Sequence, residues 1–308
     1  MMTATTSNAS SLSSLSSSLL APLSSSKTLP SRTYLDRSKR KLSIAAKYDL
    51  SAAAVREFAL RDFVSRRAFK VISGLQNFNV ENVTSVVIAA EKGGATHVDI
   101  ACSVDLVKLA LQLTSLPVCV SSIIPEAFLP VVEAGAHMVE IGNYDSFYVS
   151  SKKIFAAEEI MDLARQTRKL LPATVLSVTV PHTLNLDEQV KLAEMLEDEG
   201  VDVIQTEGGT SSSPVKPGVQ GLMEKAAPTL AAAYSISRAV KIPVMCASGL
   251  SDVTAPLAFA AGAAGVYLVR ALVFYMYREG FVDEVFVGLL SSTSISFLHV
   301  TKCYVYIM

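Results

Sequence analysis

The feature that most constrains this chain is a unit it repeats. "GATHVDIA" from Gly94, "GAHMVEIG" from Gly135, "GVDVIQTE" from Gly200 and "GAAGVYLV" from Gly262 follow one pattern. Each starts at a glycine that ends an amphipathic stretch, as a left-handed helix stop does. Each then runs into five or six residues rich in valine and isoleucine, as a buried parallel strand would. A longer match relates residues 117–142 to 243–269 with one residue inserted. Further strands are expected at 70–74 and 174–180. Helical stretches near 80–92, 103–113, 125–134, 156–171, 186–199, 222–240 and 253–261 alternate with the strands. Eight strands and alternating helices predict an α/β fold, a (β/α)8 TIM barrel, with an eighth unit that departs from the pattern. No GxGxxG opens the first strand–helix turn, which argues against a doubly wound sheet. The stretch 51–66 reads as a helix capping the barrel bottom.

The repeat also assigns side chains to layers, because alternate strands of such barrels share interior layers. One layer is then Asp99, Glu140, Gln205 and Tyr267. Two residues nearer the C-terminal mouth lie Ala101, Gly142, Glu207 and Val269, and two residues deeper lie His97, Met138, Val203 and Gly265. Three carboxylates in one interior repel one another and lose hydration, so at least one is expected to hold its proton unusually well. That is how acids and bases are prepared for work near neutral pH. Glu207, Asp99 and Glu140 are therefore the candidate catalytic groups. His182, just beyond strand five in "VPHTL", is a fourth. The competing reading is a structural polar network completed by Ser177 and Thr179.

His97 and Asp99 form an H-x-D pair that resembles the second-strand metal pair of the ribulose-phosphate epimerases. Those enzymes also need a histidine on strand three and an aspartate on strand seven, where "PVCVSS" and "VMCASG" supply neither. No metal and no cofactor is expected, and His97 is expected to bond a carboxylate. Lys70 opens strand one and is expected to reach in only from below. No lysine ends a strand, which argues against a Schiff-base aldolase.

In "IPVMCASGLSDV", residues 242–253, a buried strand turns at Ser248-Gly249-Leu250 before a short helix. Outward amides at such a place bind phosphate without a cation. Arg270, after the last strand, is a candidate for added charge. Gly208 and Gly209 are expected to leave room for ligand beside Glu207.

The ends differ from this core. Residues 1–46 contain eleven serines before residue 30 and one acid, Asp36. Serine-rich and acid-poor is the composition of a plastid transit peptide. The expected organisation is 1–46 transit peptide, 47–68 capping helix, 69–290 barrel and 291–308 an atypical apolar tail. The apolar run 255–269 is divided by glycines and is followed by Arg270, so it reads as core rather than a membrane span. A net charge of −1 offers nothing to nucleic acid. Four scattered cysteines without a CxxC pair fit a reducing compartment.

Long stretches, among them "HVDIACS", "VEIGNYDSFY" and "LSVTVPHTLNLDEQVKLAEMLEDEGVDVIQTEGGTSS", closely resemble an uncharacterised family of cyanobacteria and plastids, the hypothetical chloroplast reading frame numbered twenty-three. The likeness spans roughly residues 66–266 and implies a plastid stromal protein with a phosphate-binding TIM-type barrel. It implies no activity. Beyond Gly265 the chain leaves the family pattern, as a misjoined or alternative transcript end would. Two functions are consistent with these residues. One is an enzyme, an isomerase, lyase or synthase, acting on a small phosphorylated ligand. The other is a non-catalytic ligand-binding, regulatory or scaffold protein.

Overall fold

A computed structural model describes residues 51–144, 147–148, 151–208 and 214–267. The expected transit peptide, Gly209, Val269, Arg270 and the apolar tail lie outside these residues. The chain begins with helix α1 (Ala52–Val64), capped by the Ser51 side chain. It continues as β1 (Ala68–Ile72), α2 (Val80–Gly93), β2 (His97–Ala101), α3 (Val104–Leu113), β3 (Val118–Ser122), α4 (Phe128–Glu133) and β4 (Met138–Ile141). Then come α5 (Ala157–Leu170), β5 (Val175–Thr179), α6 (Leu186–Asp198), β6 (Val203–Gln205), α7 (Gly218–Ala239), β7 (Val244–Cys246), α8 (Ala255–Ala261) and β8 (Gly265–Tyr267).

All eight strands are parallel and close in sequence order, with β8 paired to β1 through Ala68–Gly265 and Lys70–Tyr267. This is the TIM barrel that the repeat predicts. The repeat glycines Gly94, Gly135, Gly200 and Gly262 all carry positive φ, from 77° to 115°, so each does end a helical stretch as expected. The run 255–267 is helix α8 and strand β8. No helix among the described residues is long and apolar enough to cross a membrane.

Strands β2, β3 and β5 are buried at every residue, because helices cover the outside while side chains fill the inside. The outer core holds residues such as Val98, Ile100, Leu176, Ile204 and Leu192. Inside, the lower barrel is apolar: Ala68, Cys119, Met138, Val175, Val203 and Met245 meet Ala59 and Phe63 of α1. Helix α1 thus closes the bottom, and Arg56 pairs with Asp202 to hold it there. Polar side chains gather in the upper half. Ala68, placed with the capping helix by the sequence reading, is instead the first residue of β1.

One hydrogen-bond circuit fixes the exits of β6 and β7. Ala247 N–H donates to Thr206 Oγ1 at 3.2 Å, and Thr229 Oγ1 donates to the Ala247 carbonyl at 2.6 Å. The Thr206 hydroxyl is then the donor across the 2.6 Å link to Thr229. Thr229 is fully buried on α7. Thr229→Val keeps the shape and leaves two buried groups short of a partner, so denaturant unfolding should show a loss of about 1–3 kcal/mol.

Candidate functional site

The upper barrel is organised around a residue the sequence reading underestimated. Because β1 begins at Ala68, Lys70 is mid-strand rather than at the strand's start, and its side chain is buried inside the barrel rather than reaching up from below. Its Nζ donates to Glu140 Oε2 at 2.5 Å and lies 3.8 Å from Asp99 Oδ2. Ser177 donates to the same Glu140 oxygen at 2.7 Å, and Gln205 Nε2 donates to Glu140 Oε1 at 2.8 Å. Ser121 donates to Asp99 at 2.7 Å. Asn143, just past β4, reaches Asp99 Oδ2 at 3.1 Å, Ser121 at 2.9 Å and Glu140 Oε1 at 3.3 Å through its amide nitrogen. It does so from a left-handed backbone, φ 60°, which asparagine tolerates better than most residues.

The electrostatics follow from burial. Desolvation pushes the Asp99 carboxyl up to about 6; Lys70 opposes that shift and the Glu140 charge adds to it. Burial pulls the Lys70 ammonium down, but the charges of Glu140 and Asp99 outweigh it and hold it above the ordinary lysine value. Ligand atoms of Asp99, Cys119 and Glu140 lie within 4.8 Å of one another. The Lys70 ammonium already supplies positive charge among them. Burial also holds the Cys119 thiol protonated, which makes it a poor ligand.

His97 departs from expectation. Its Nε2 donates to the Ala59 carbonyl of α1 at 2.7 Å, and its Nδ1 lies 2.7 Å from the Thr96 hydroxyl. A carbonyl can only accept, so the ring is the Nε2–H tautomer. Burial pulls its pKa down to about 4. Its partner is the capping helix rather than a carboxylate, because its side chain points to the barrel bottom.

At the mouth stands Glu207, two residues past β6 and 5% exposed. Three donors converge on its Oε2: the Tyr148 hydroxyl at 2.8 Å, His182 Nδ1 at 2.8 Å and the His182 backbone N–H at 3.1 Å. An aromatic cluster after β4 delivers that tyrosine. Tyr144 donates to the Thr179 carbonyl at 3.1 Å and stacks on Phe155 at 4.4 Å. Tyr148 meets Phe155 edge-on, and its ring stands at 83° to His182 with centroids 4.9 Å apart. Glu207 also lines a cavity at the mouth.

That cavity is small, about 30 Å³ within and about 270 Å³ counted with the open space in front of it, and is lined by Asn143, Thr179, Gln205, Thr206, Glu207, Ala247, Ser248 and Tyr267. The Ser248-Gly249-Leu250 turn flanks it, with Ser248 and Gly249 both at φ 71°. Helix α8 starts only at Ala255, after a turn in which Ser251 N–H donates to Thr254 Oγ1 at 2.8 Å. The amides at Ser248–Leu250 are therefore not that helix's N-terminus. Lys225 of α7, unnoticed in the sequence, passes this turn: a Cβ on Gly249 would stand 3.6 Å from its Cγ. Gly208 serves packing rather than ligand space, since a Cβ there would lie 3.0 Å from the Ser248 carbonyl oxygen.

The structure brings Asp99 and Glu140 together in one network and His182 and Glu207 together in another, with Ser248 lining the cavity beside them. Lys70, Asn143, Tyr148 and Lys225 are the additions. "NYDSFY" was the visible trace of Asn143 and Tyr148, a stretch with three aromatics directly after a strand end.

The family described as a protein of unknown function, DUF561, matches residues 56–286. The match begins earlier and ends later than the 66–266 of the sequence reading, so it covers part of the segment taken to have left the family pattern. The uncharacterised protein ycf23 of Cyanophora paradoxa is 45% identical over 208 residues, covering 67% of this chain and 85% of that protein. That of Pyropia yezoensis is 38% identical over 226 residues, covering 70% and 82%. Among solved structures, the deoxyribose phosphate aldolase of Aeropyrum pernix aligns with a TM-score of 0.50 at 18% identity, over 76% of this chain and all of that one, a likeness of fold alone. The chain therefore belongs to the DUF561 family of ycf23 proteins.

Proposed function

We propose that this protein is a plastid stromal enzyme that binds a small phosphorylated metabolite at the barrel mouth and moves a proton through His182 and Glu207. The observation that carries the reading is the 2.8 Å contact between His182 Nδ1 and a carboxylate that lines an open cavity. A carboxylate can only accept from that nitrogen, so the proton is on Nδ1 and the lone pair on Nε2. That is the tautomer a general base needs, with Glu207 stabilising the imidazolium once the proton is taken. Glu207 Oε1 is a second group that can meet the ligand.

The phosphate half of the reading rests on the Ser248-Gly249-Leu250 turn beside the cavity and on the Lys225 stem next to it. Arg270 keeps its proposed supporting role from sequence. Asp99, with its pKa near 6, is the second acid–base candidate, and Glu140 sets its charge environment together with Lys70. Asp99 and Glu140 are fully buried and saturated with hydrogen bonds, which favours the structural reading for that pair alone. The stromal assignment rests on the composition of residues 1–46.

The test is to release whatever small molecule accompanies the purified full chain, identify it by mass, and incubate it with the protein in D2O. A phosphorylated compound that gains deuterium at carbon supports the proposal. A phosphorylated compound that stays unlabelled and chemically unchanged indicates a non-catalytic binding protein. Failure to retain or bind any of a panel of sugar and triose phosphates removes the phosphate half.

A further inference from the structure

The cavity floor carries a donor and an acceptor on neighbouring strands, and this pair bears on the ligand's chemistry. Gln205 is 2% exposed and lines the cavity. Its amide nitrogen is committed twice, to Glu140 Oε1 at 2.8 Å and to Thr179 Oγ1 at 3.0 Å. Glu140 accepts from Lys70 and Ser177 on one oxygen and from Asn143 on the other, so a flipped amide would set its own oxygen against an acceptor. Gln205 Oε1 is therefore the end of the amide left over, and it is buried without a partner among the described residues. A buried acceptor left this way costs folding free energy unless something donates to it.

Thr179 is the register partner of Gln205 across β5 and β6 and also lines the cavity. Its oxygen accepts from Gln205, and among the described residues its hydroxyl proton has no acceptor. An unanswered acceptor thus stands beside an unanswered donor. A carbonyl or carboxylate on the ligand would satisfy Thr179 but face Gln205 Oε1 with another acceptor. An ammonium would satisfy Gln205 but offer Thr179 nothing to bond. A hydroxyl both donates and accepts.

We infer that Gln205 and Thr179 read a hydroxyl group, so that the ligand is a phosphorylated polyol or sugar whose hydroxyl-bearing carbon lies over β5 and β6. This rests on the phosphate reading above and narrows its substrate class. Glu207 lines the same cavity and bonds His182, so the hydroxyl read by Gln205 and Thr179 would fix which carbon of the ligand faces the proton-transfer pair.

The experiment measures affinities of the full chain for probe pairs differing in one hydroxyl, by titration calorimetry. Suitable pairs are glycerol 3-phosphate against propyl phosphate, and ribose 5-phosphate against 2-deoxyribose 5-phosphate, with inorganic phosphate measured alongside. At least one pair should differ by tenfold or more in favour of the hydroxyl, the scale of one hydrogen bond to a buried group. Gln205→Met and Thr179→Val should each reduce that ratio to below about threefold. Two independent variants are used because either substitution disturbs the Glu140 network, and a cooperative melting transition identifies those that have folded. Equal affinities within both pairs in the parent overturn the inference and indicate that water fills the position. So does a ratio that survives in a folded variant. Loss of all phosphate binding, inorganic phosphate included, would instead bring down the phosphate reading itself.

Discussion

Lys70→Met should lower the unfolding free energy by about 3–5 kcal/mol, the cost of removing one partner from a buried ion pair. The lysine is 1% exposed and is the cation within reach of both Glu140 and Asp99. Without it two carboxylates face each other in a space closed by α1 below and Asn143 above. The double variant Lys70→Met/Glu140→Gln should recover a large part of the loss, because an amide at 140 can still bond Ser177 and Gln205 without a charge to bury. Chemical denaturation of the two variants and the parent checks this. A single variant as stable as the parent would mean that Lys70 leaves the interior in solution.

The pH dependence adds a sign to that test. Asp99 is raised to about 6, chiefly by burial, so between its ordinary value and 6 the folded chain holds a proton the unfolded chain has released. Its contribution to stability is present at low pH and is lost as pH rises through 6. His97 is lowered to about 4 by burial, so its contribution is present above its ordinary value and is lost as pH falls through 4. Shifts of this size are each worth about 3 kcal/mol, in opposite directions. The parent should therefore show a nearly flat stability profile across pH 4–6 from these two groups. Loss of the Lys70 charge removes what holds Asp99 down, so the Lys70→Met deficit should be larger at pH 8 than at pH 5. A deficit independent of pH would assign the loss to packing instead.

How far the fold could be read from the chain depends on which interactions are local and periodic. The glycine that ends each helix and the β-branched run behind it recur at fixed positions, and that regularity carried the barrel and its even-strand layers. Asp99, Glu140 and Gln205 do meet as the alignment requires. Lys70 escaped because it lies on an odd strand outside the repeat. A lysine is also normally read as exposed, and it enters the interior only where partners such as Asp99 and Glu140, remote in sequence, receive it. Tyr148 and Asn143 lie beyond the end of β4, outside the repeat, where no aligned position predicts direction. Glycines at 208 and 209 look alike in sequence, yet the role of Gly208 is set by Ser248, forty residues away in the chain. The short helix after β7 was correctly expected, but the extra turn at Ser251–Thr254 that separates it from the Ser248–Leu250 amides depends on side-chain bonds no pattern encodes.

The largest effect on turnover is expected at Glu207, and Glu207→Gln should separate its chemistry from its architecture. The Tyr148 hydroxyl and the His182 N–H both donate to Glu207 Oε2, so a glutamine there must present its oxygen to them. The amide oxygen then also accepts from His182 Nδ1, and the histidine keeps its tautomer. Stability should consequently stay within about 1 kcal/mol of the parent, since no buried donor is orphaned. What disappears is the negative charge behind the imidazole, and with it the stabilisation of the imidazolium that forms when Nε2 takes a proton. Deuterium exchange into the bound phosphorylated compound should fall by about 10²–10⁴, the contribution of a positioned acid–base group. The acid limb of its pH–rate profile should move to lower pH, which a merely structural role would not do. His182→Gln should lose at least as much, because it removes the proton carrier itself. Tyr148→Phe should lose less, since it withdraws one hydrogen bond and leaves both charge and base in place. If Glu207→Gln folds as the parent does and exchanges deuterium at the parental rate, the proton passes elsewhere in the mouth, with Asp99 behind Asn143 the next group to test.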